Sequence, residues 1–381
     1  KRKNKFRERE NMYGVKITGV GTYVPDWVVT NEAISRILQE RRADCIANLI
    51  VSPDDPRLEQ FASDPDWIVR RTGIRERRFA APDEATSDLA VKAAERALQM
   101  SGLRKDAVGF VIVATVTPDH HATPPTASLV QHKLGIPSRA PDGALHQLFV
   151  LDVSVACSSF VEALAVGYGF IASGLCKSGL VIGADVMERI IDWNNRAIFP
   201  LLGSGAGCFV LERTSAAEDE FLPNGFFPGS DGSLASLIET PKGGSRSPIT
   251  AETVTNPFDQ GHTLRMEGRS VFKEAVPLVA ERIIPQALSR AGVELGSVGL
   301  ICFHQANLRM IEPIVVKLRV AGFTGLIHNN IGRYGNTTSA TIPLVYAEAL
   351  EQELVPPGTL VLFVVFGGGF TWCTCLFHSE L

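Results

Sequence analysis

Apolar residues recur along this chain in two rhythms, and their alternation marks out the elements. Tyr13 to Val24 (YGVKITGVGTYV) alternates as a strand does and stops at Pro25. Asn31 to Leu38 reads as a short helix with Asn31 as its N-cap. Residues 41–65 lose the rhythm, Pro53-Asp54-Asp55-Pro56 marks a turn, and the stretch reads as an inserted loop or lid. Asp83 to Met100 is an amphipathic helix closed by Gly102. Val108 to Thr115 is a β-branched run, the pattern of a strand buried on both faces. A helix over Thr126–Leu134, a strand over Leu148–Val155 and an apolar helix over Ser158–Ser173 follow. Gly179–Ala184 and Ala206–Leu211 read as two more strands.

The second half repeats this order. Leu278–Ala291 is an amphipathic helix ended by Gly292, and Val298–Phe303 (VGLICF) echoes Val108–Val113 (VGFVIV) 190 positions later. Then come a helix over Leu308–Leu318, a short strand over Gly325–Asn329, a helix over Ser339–Leu354 and a strand over Leu360–Phe366. Such a repeat predicts two similar α/β lobes packed together, residues 12–214 and 215–381. The helices beginning near Ser158 and Ser339 hold equivalent places, and each is too apolar for a surface, so both are expected at the centre.

Composition narrows the class. The 381 residues are 45% hydrophobic and 20% charged, which gives a large core and excludes a disordered chain. A net charge of −4 gives no basic field for nucleic acid. The one long apolar region, at the Ser158 helix, carries Glu162 and glycines and reads as a core helix, not a membrane span. The seven cysteines are scattered without metal-ligand spacing, Cys373-Thr-Cys375 alternating as in a strand. A reducing, cytoplasmic compartment is expected. Residues 1–11 hold three Lys, three Arg and two Glu without an apolar core, which reads as a disordered basic tail and not a secretory signal.

Candidate chemistry sits where the repeat places strand ends. Cys157 lies between the strand ending at Val155 and the apolar helix. A lone cysteine in an apolar stretch is ordinarily a small core residue. At a helix N-terminus, however, the dipole favours the thiolate and lowers the thiol pKa. His304-Gln-Ala-Asn307 follows the strand ending at Phe303, and Tyr334-Gly-Asn-Thr-Thr338 precedes the second apolar helix. That puts Asn336 near the place equivalent to Cys157. Gly367-Gly-Gly369 follows the last long strand. Taken singly these are a polar His, a turn Asn and a tight bend. No Lys-Ser/Thr follows the glycines, so a phosphate loop is not indicated. Converging at the carboxyl ends of strands, a thiol, an imidazole, a carboxamide and backbone donors suit acyl transfer.

These residues carry a resemblance. Trp67-Ile-Val-Arg-Arg-Thr-Gly-Ile-Arg-Glu-Arg-Arg78, Ala156-Cys157, His304-Gln-Ala-Asn-Leu-Arg309, Arg333-Tyr-Gly-Asn-Thr337 and Phe366-Gly-Gly-Gly-Phe-Thr-Trp372 resemble the motifs of β-ketoacyl-acyl carrier protein synthase III-type condensing enzymes. The resemblance runs from about Tyr13 to Phe377. It implies a thiolase-like α/β fold of five layers, αβαβα, built from a duplicated half, and a homodimer. It also implies that Cys157 attacks an acyl-CoA, that a malonyl thioester on acyl carrier protein enters next, and that His304 and Asn336 stabilise the enolate left by loss of CO₂. The N–H groups of Cys157 and Gly368 would form the oxyanion hole. No metal or redox cofactor is implied, with acyl-CoA as substrate. Trp67 and Arg196 resemble the pair that sandwiches the adenine of coenzyme A, and Arg71 and Thr72 resemble further nucleotide contacts. Gly268, Phe272, Ala306 and Asn307 resemble pantetheine-tunnel walls, and Lys273 and Arg309 resemble basic residues that dock the carrier protein.

Four departures from the family pattern bear on substrate. Arg36–Ser63 is long and is expected to form a lid or a dimer-side addition. Residues 241–262, rich in Gly, Ser, Thr and Pro, read as a flexible loop at the tunnel mouth. Ser158-Ser159 replaces a small-residue–glycine pair and is expected to alter the acyl-pocket floor. Thr123 stands where short-chain members carry a bulky aromatic that reaches the partner subunit's acyl pocket, so a deeper pocket and a longer or functionalised primer are expected. The other readings are a specialised acyltransferase or non-standard condensing enzyme of vitamin or secondary metabolism with the same acyl-cysteine, and an inactive binding scaffold. An intact Cys–His–Asn set favours decarboxylative condensation.

Overall fold

The computed structural model describes residues 13–48, 50–139, 142–251, 254, 258 and 261–381. The basic stretch 1–11 and part of 241–262 lie outside the described residues. Two five-stranded sheets organise the molecule. The first runs, edge to edge, Gly14–Tyr23, Gly205–Thr214, Ser178–Asp185, Phe110–Ala114 and Phe149–Val153. The second runs Gly229–Ser230, Thr371–Ser379, Thr359–Gly367, Leu300–Phe303 and Leu326–Ile327.

Strand directions match in the two sheets. Phe110–Ala114 pairs in parallel with both neighbours, Val111 opposite Val150 and Leu180, and Leu300–Phe303 does the same, Ile301 opposite Ile327 and Leu362. The remaining pairs are antiparallel, with Ile182 opposite Cys208 and Phe363 opposite Cys375. All five residues of Phe110–Ala114 are buried, because each sheet is covered on both faces.

The helices Ser159–Ala172 and Thr341–Glu351 lie between the sheets and share one core with their inner faces, including Phe160, Phe209, Tyr346 and Phe363. Gly183 is a glycine because a Cβ there would meet the Ser339 carbonyl oxygen at 2.2 Å. Outside the first sheet Thr86–Ser101 and Thr126–Lys133 bury an alanine-rich face, and Gly102 ends the longer helix in a left-handed turn, φ 71°. Outside the second sheet lie Gly268–Leu278, its continuation through a π-turn to Ile284–Ala291, and Leu308–Val320. The order is helix, sheet, helix, sheet, helix: a thiolase-like fold in five layers.

The rhythm of apolar residues located these layers but missed the cap beside them. The helix after Thr30 runs Asn31–Ala47, well past Leu38, and the Thr30 hydroxyl is its cap, accepting from the Ala33 N–H. Asn31 instead donates to the Ile74 carbonyl and accepts from buried Arg77. Pro56–Phe61 forms a 3₁₀ turn and Pro65–Thr72 a helix. With Trp27–Thr30 paired to Glu76–Phe79, they enclose a separate core of Ile34, Leu38, Leu58, Phe61, Phe79 and Phe199. No helix among the described residues is long and apolar enough to cross a membrane.

Candidate active site

The strand Phe149–Val153 runs through Ser154, Val155 and Ala156 to Cys157 before the central helix starts at Ser159. Ala156 has a φ of 48°, a left-handed conformation that non-glycine residues rarely take and that turns the chain sharply. Thr338 has the same φ of 48° ahead of the second central helix. It follows Ala156 by 182 positions, as Thr341 follows Ser159. The counterpart of Cys157 is therefore Ser339, and Asn336 sits three residues earlier on the matching elbow.

A cavity of about 390 Å³ is lined by Cys157, His304 and Asn336 together. Trp67, Arg71, Thr72, Arg196, Gly268, Phe272, Ala306 and Asn307 line it too, with an apolar sleeve of Ile198, Leu201, Val271, Met310 and Phe366. A second cavity of about 250 Å³ also reaches Cys157 and is lined by Val116, Met187, Ile190, Ile238 and Leu264. Gly368 lines this second space together with Ala156 and Thr338. Its neighbour Gly367 lies against the nucleophile candidate, where a Cβ would come within 2.6 Å of the Cys157 nitrogen.

Electrostatics correct one expectation. Burial pushes the Cys157 thiol up to about 12, the Asp185 carboxylate adds to the shift, and a backbone hydrogen bond opposes both. Desolvation opposes the effect of the helix start and favours the protonated thiol at rest. His304 is 1% exposed, and burial pushes its pKa down to about 3. The imidazole is neutral at physiological pH. Its Nδ1 has no hydrogen-bond partner among the described residues, and its ring stands edge-on to Phe366 at 5.8 Å. Asn336 is oriented unambiguously: its Oδ1 accepts from the Thr338 N–H at 2.9 Å, which leaves Nδ2 as the donor. Its backbone is clamped to Leu201 and Gly203 at 2.8 and 3.0 Å.

Several bracing residues escaped the sequence reading. Asp185, fully buried at the end of its strand, accepts from the Val116 N–H and the Thr115 and Thr117 hydroxyls. It also accepts from the Ser339 N–H, ahead of the second central helix. A charged residue closing the run Leu-Val-Ile-Gly-Ala was the available signal. Thr371 joins the Cys157 elbow to the glycine bend, with its Oγ1 2.7 Å from the Ser158 hydroxyl and 3.1 Å from the Gly368 carbonyl. Buried Arg77 donates to the Pro200 carbonyl, beside the Leu201 carbonyl that holds Asn336. Ser158 and Ser159 do not line either cavity near Cys157, contrary to the expected pocket floor. Their hydroxyls instead bond Val155 and Ala156 and hold the elbow.

Other predicted residues lie apart. Thr123 is exposed and lines neither cavity within one chain. Lys273 is exposed on the helix Gly268–Leu278. Arg309 is occupied, pairing with Glu312 at 2.8 Å and donating to the Arg70 carbonyl. The Arg196 guanidinium lies over the Trp67 ring, its carbon 5.1 Å from the ring centre.

Comparison with known proteins gives the same outline. Residues 288–379 match the family profile "3-Oxoacyl-[acyl-carrier-protein (ACP)] synthase III C terminal", and residues 151–232 match "3-Oxoacyl-[acyl-carrier-protein (ACP)] synthase III". The chain is similar to the β-ketoacyl-[acyl-carrier-protein] synthase III of Rhodopirellula baltica, 36% identical, covering 97% of this chain and 99% of that protein. It is 35% identical to that of Caldanaerobacter subterraneus, covering 94% and 96%. Among solved structures it is similar to 3-oxoacyl-[acyl-carrier-protein] synthase III from Aquifex aeolicus, with a TM-score of 0.76, 33% identity and coverage of 96% and 100%.

Proposed function

Because this chain belongs to the β-ketoacyl-[acyl-carrier-protein] synthase III family, we propose that it condenses an acyl-CoA with malonyl-acyl carrier protein through an acyl-Cys157 intermediate. The observation carrying the reading is that Cys157, His304 and Asn336, far apart in sequence, line one largely apolar cavity. Cys157 Sγ attacks the thioester carbonyl, the new C–S bond forms, and coenzyme A departs with the thiol proton. Since the resting thiol is protonated, that proton leaves during attack. The N–H groups of Cys157 and Gly368 receive the oxyanion. Malonyl thioester then loses CO₂, and its enolate oxygen takes hydrogen bonds from neutral His304 and from Asn336 Nδ2. The enolate carbon attacks the acyl-enzyme carbonyl, the C–S bond breaks, and the 3-oxoacyl thioester leaves Cys157 as a thiolate that takes one proton from solvent to return to the resting thiol.

A neutral imidazole suits this role, because a hydrogen-bond donor is needed and no proton has to be moved far. The absence, among the described residues, of any side chain hydrogen-bonded to His304 Nδ1 argues against a hydrolytic triad, which orients its histidine that way. Coenzyme A is assigned to the larger cavity, with Trp67, Arg71, Thr72 and Arg196 at its nucleotide end and Gly268, Phe272, Ala306 and Asn307 along the pantetheine arm. The primer is assigned to the smaller cavity. Lys273 is the better candidate for carrier docking, because Arg309 is engaged by Glu312. The proposal includes the two-lobe division at 214/215 and a homodimer, in which Thr123 faces the primer space of the second copy. Seven free thiols support a reducing, cytoplasmic compartment.

Intact-protein mass after incubation with acyl-CoA tests the first half-reaction. We expect a gain equal to the acyl group, lost in Cys157→Ala; acylation that persists there assigns the nucleophile elsewhere. Asn336→Ala should still acylate but lose condensation by about 10²–10³-fold, the effect of removing one donor to a developing oxyanion. Primer choice is read from kcat/KM for acetyl-CoA against octanoyl-CoA. Exclusion of octanoyl-CoA would show that Thr123 does not deepen the pocket.

A further inference from the structure

The inserted segment reaches the nucleotide end of the larger cavity. Its 3₁₀ turn Pro56–Phe61 is a built element: Asp55 accepts from the Arg57 N–H at 2.8 Å, and Leu58 and Phe61 are buried in the cap core. Phe61 and Arg57 also pack on Phe258, so both long segments meet here. From this turn Glu59 holds the Arg196 guanidinium at 2.6 Å. The Ala62 carbonyl accepts from the same guanidinium, and the Gln60 carbonyl accepts from the Arg196 N–H at 2.9 Å. The segment continues into the helix bearing Trp67, whose N–H is capped by Asp64 at 2.7 Å. One insertion therefore fixes both partners of the Trp67–Arg196 pair.

That pair leaves no room for a ring. An aromatic ring between the two groups needs about 3.5 Å on each face, about 7 Å in all, against the 5.1 Å observed. To admit an adenine, Trp67 and Arg196 must part, and any movement of the guanidinium is made against its bond to Glu59. Coenzyme A is polyanionic, so Glu59 both holds the guanidinium and repels what would replace it.

We propose that Glu59 is a specificity-determining latch: it competes with the nucleotide of acyl-CoA for Arg196 and biases the site toward thioesters that lack that nucleotide. The proposal rests on the reading of Trp67 and Arg196 as the coenzyme A clamp. The Glu59 side chain is 70% exposed and that of Arg196 26%, so the effect belongs in the range of a surface ion pair.

Steady-state kinetics of Glu59→Gln with an acyl-CoA and the matching acyl-pantetheine test it. We expect KM for acyl-CoA to fall about two- to five-fold, with kcat and the acyl-pantetheine KM unchanged. An acyl-CoA KM that stays constant or rises overturns the latch, as does an equal fall for both substrates. Trp67→Ala separates this from the underlying reading. It should weaken acyl-CoA while sparing acyl-pantetheine. If it moves both equally, the clamp itself is misassigned and the latch falls with it.

Discussion

At the scale of the residue, Cys157 shows how burial and position compete. Its place before a helix favours the thiolate, yet desolvation and Asp185 raise the pKa to about 12. His304, desolvated beside the same cavity, has its pKa pushed down to about 3 and contributes no positive charge to lower it. The pH dependence follows in sign. Deprotonation of Cys157 increases with pH across the whole physiological range, and His304 adds no inflection near its usual value. The alkylation rate of Cys157 by iodoacetamide should rise steadily from pH 6 to pH 9, about tenfold per unit. A plateau below pH 8 would mean that the thiolate is already formed at rest.

At the scale of the element, each of the two central helices follows an elbow residue with a φ of 48°, and Asp185 ties the two elbows together. It is both a buried acceptor for several donors and a negative charge acting on Cys157. Asp185→Asn splits these roles. Loss of an acceptor from a buried network should cost about 1–3 kcal/mol and lower Tm. Removing the charge should lower the Cys157 pKa and speed its alkylation at pH 8. A variant that loses stability while alkylation slows or stays the same would show that Asp185 acts on the elbow's geometry alone. The sequence placed the elements on either side of these elbows, because apolar rhythm and glycine stops are local. It could not place Asp185, whose partners lie 70 and 154 positions away. Nor did it resolve the cap. Asn31–Ala47 is polar over most of its surface, with buried positions only at Asn31, Ile34, Ser35, Leu38 and Cys45, so its helical period is faint in sequence.

At the scale of the whole molecule, the first sheet ends on a strand whose outer edge pairs with no other described strand. That edge, Phe149–Val153, opens with Phe149 at 44% exposure, next to a loop that exposes Leu145. Open apolar edges invite pairing with another chain. Light scattering should give the mass of two copies, and Phe149→Asp should shift it toward one. A wild-type mass of one copy would remove the dimer and, with it, the role of Thr123. Because Thr123 lines no cavity of its own chain, primer selectivity in the Phe149→Asp variant reports on the same question.

What the sequence determined by itself was the repeat, the buried strands, the two central helices and the choice of Cys157, His304 and Asn336 as candidate site residues, which the structure brings to one cavity. Each is recorded in local pattern or short motif, and apolar burial enforces it wherever the chain folds. Tertiary structure alone decided the protonation of the thiol, the donor face of Asn336, the bracing by Asp185 and Thr371, and the hold of Glu59 on Arg196. These depend on desolvation and on hydrogen bonds between residues far apart in the chain, and neither quantity exists until the lobes are packed.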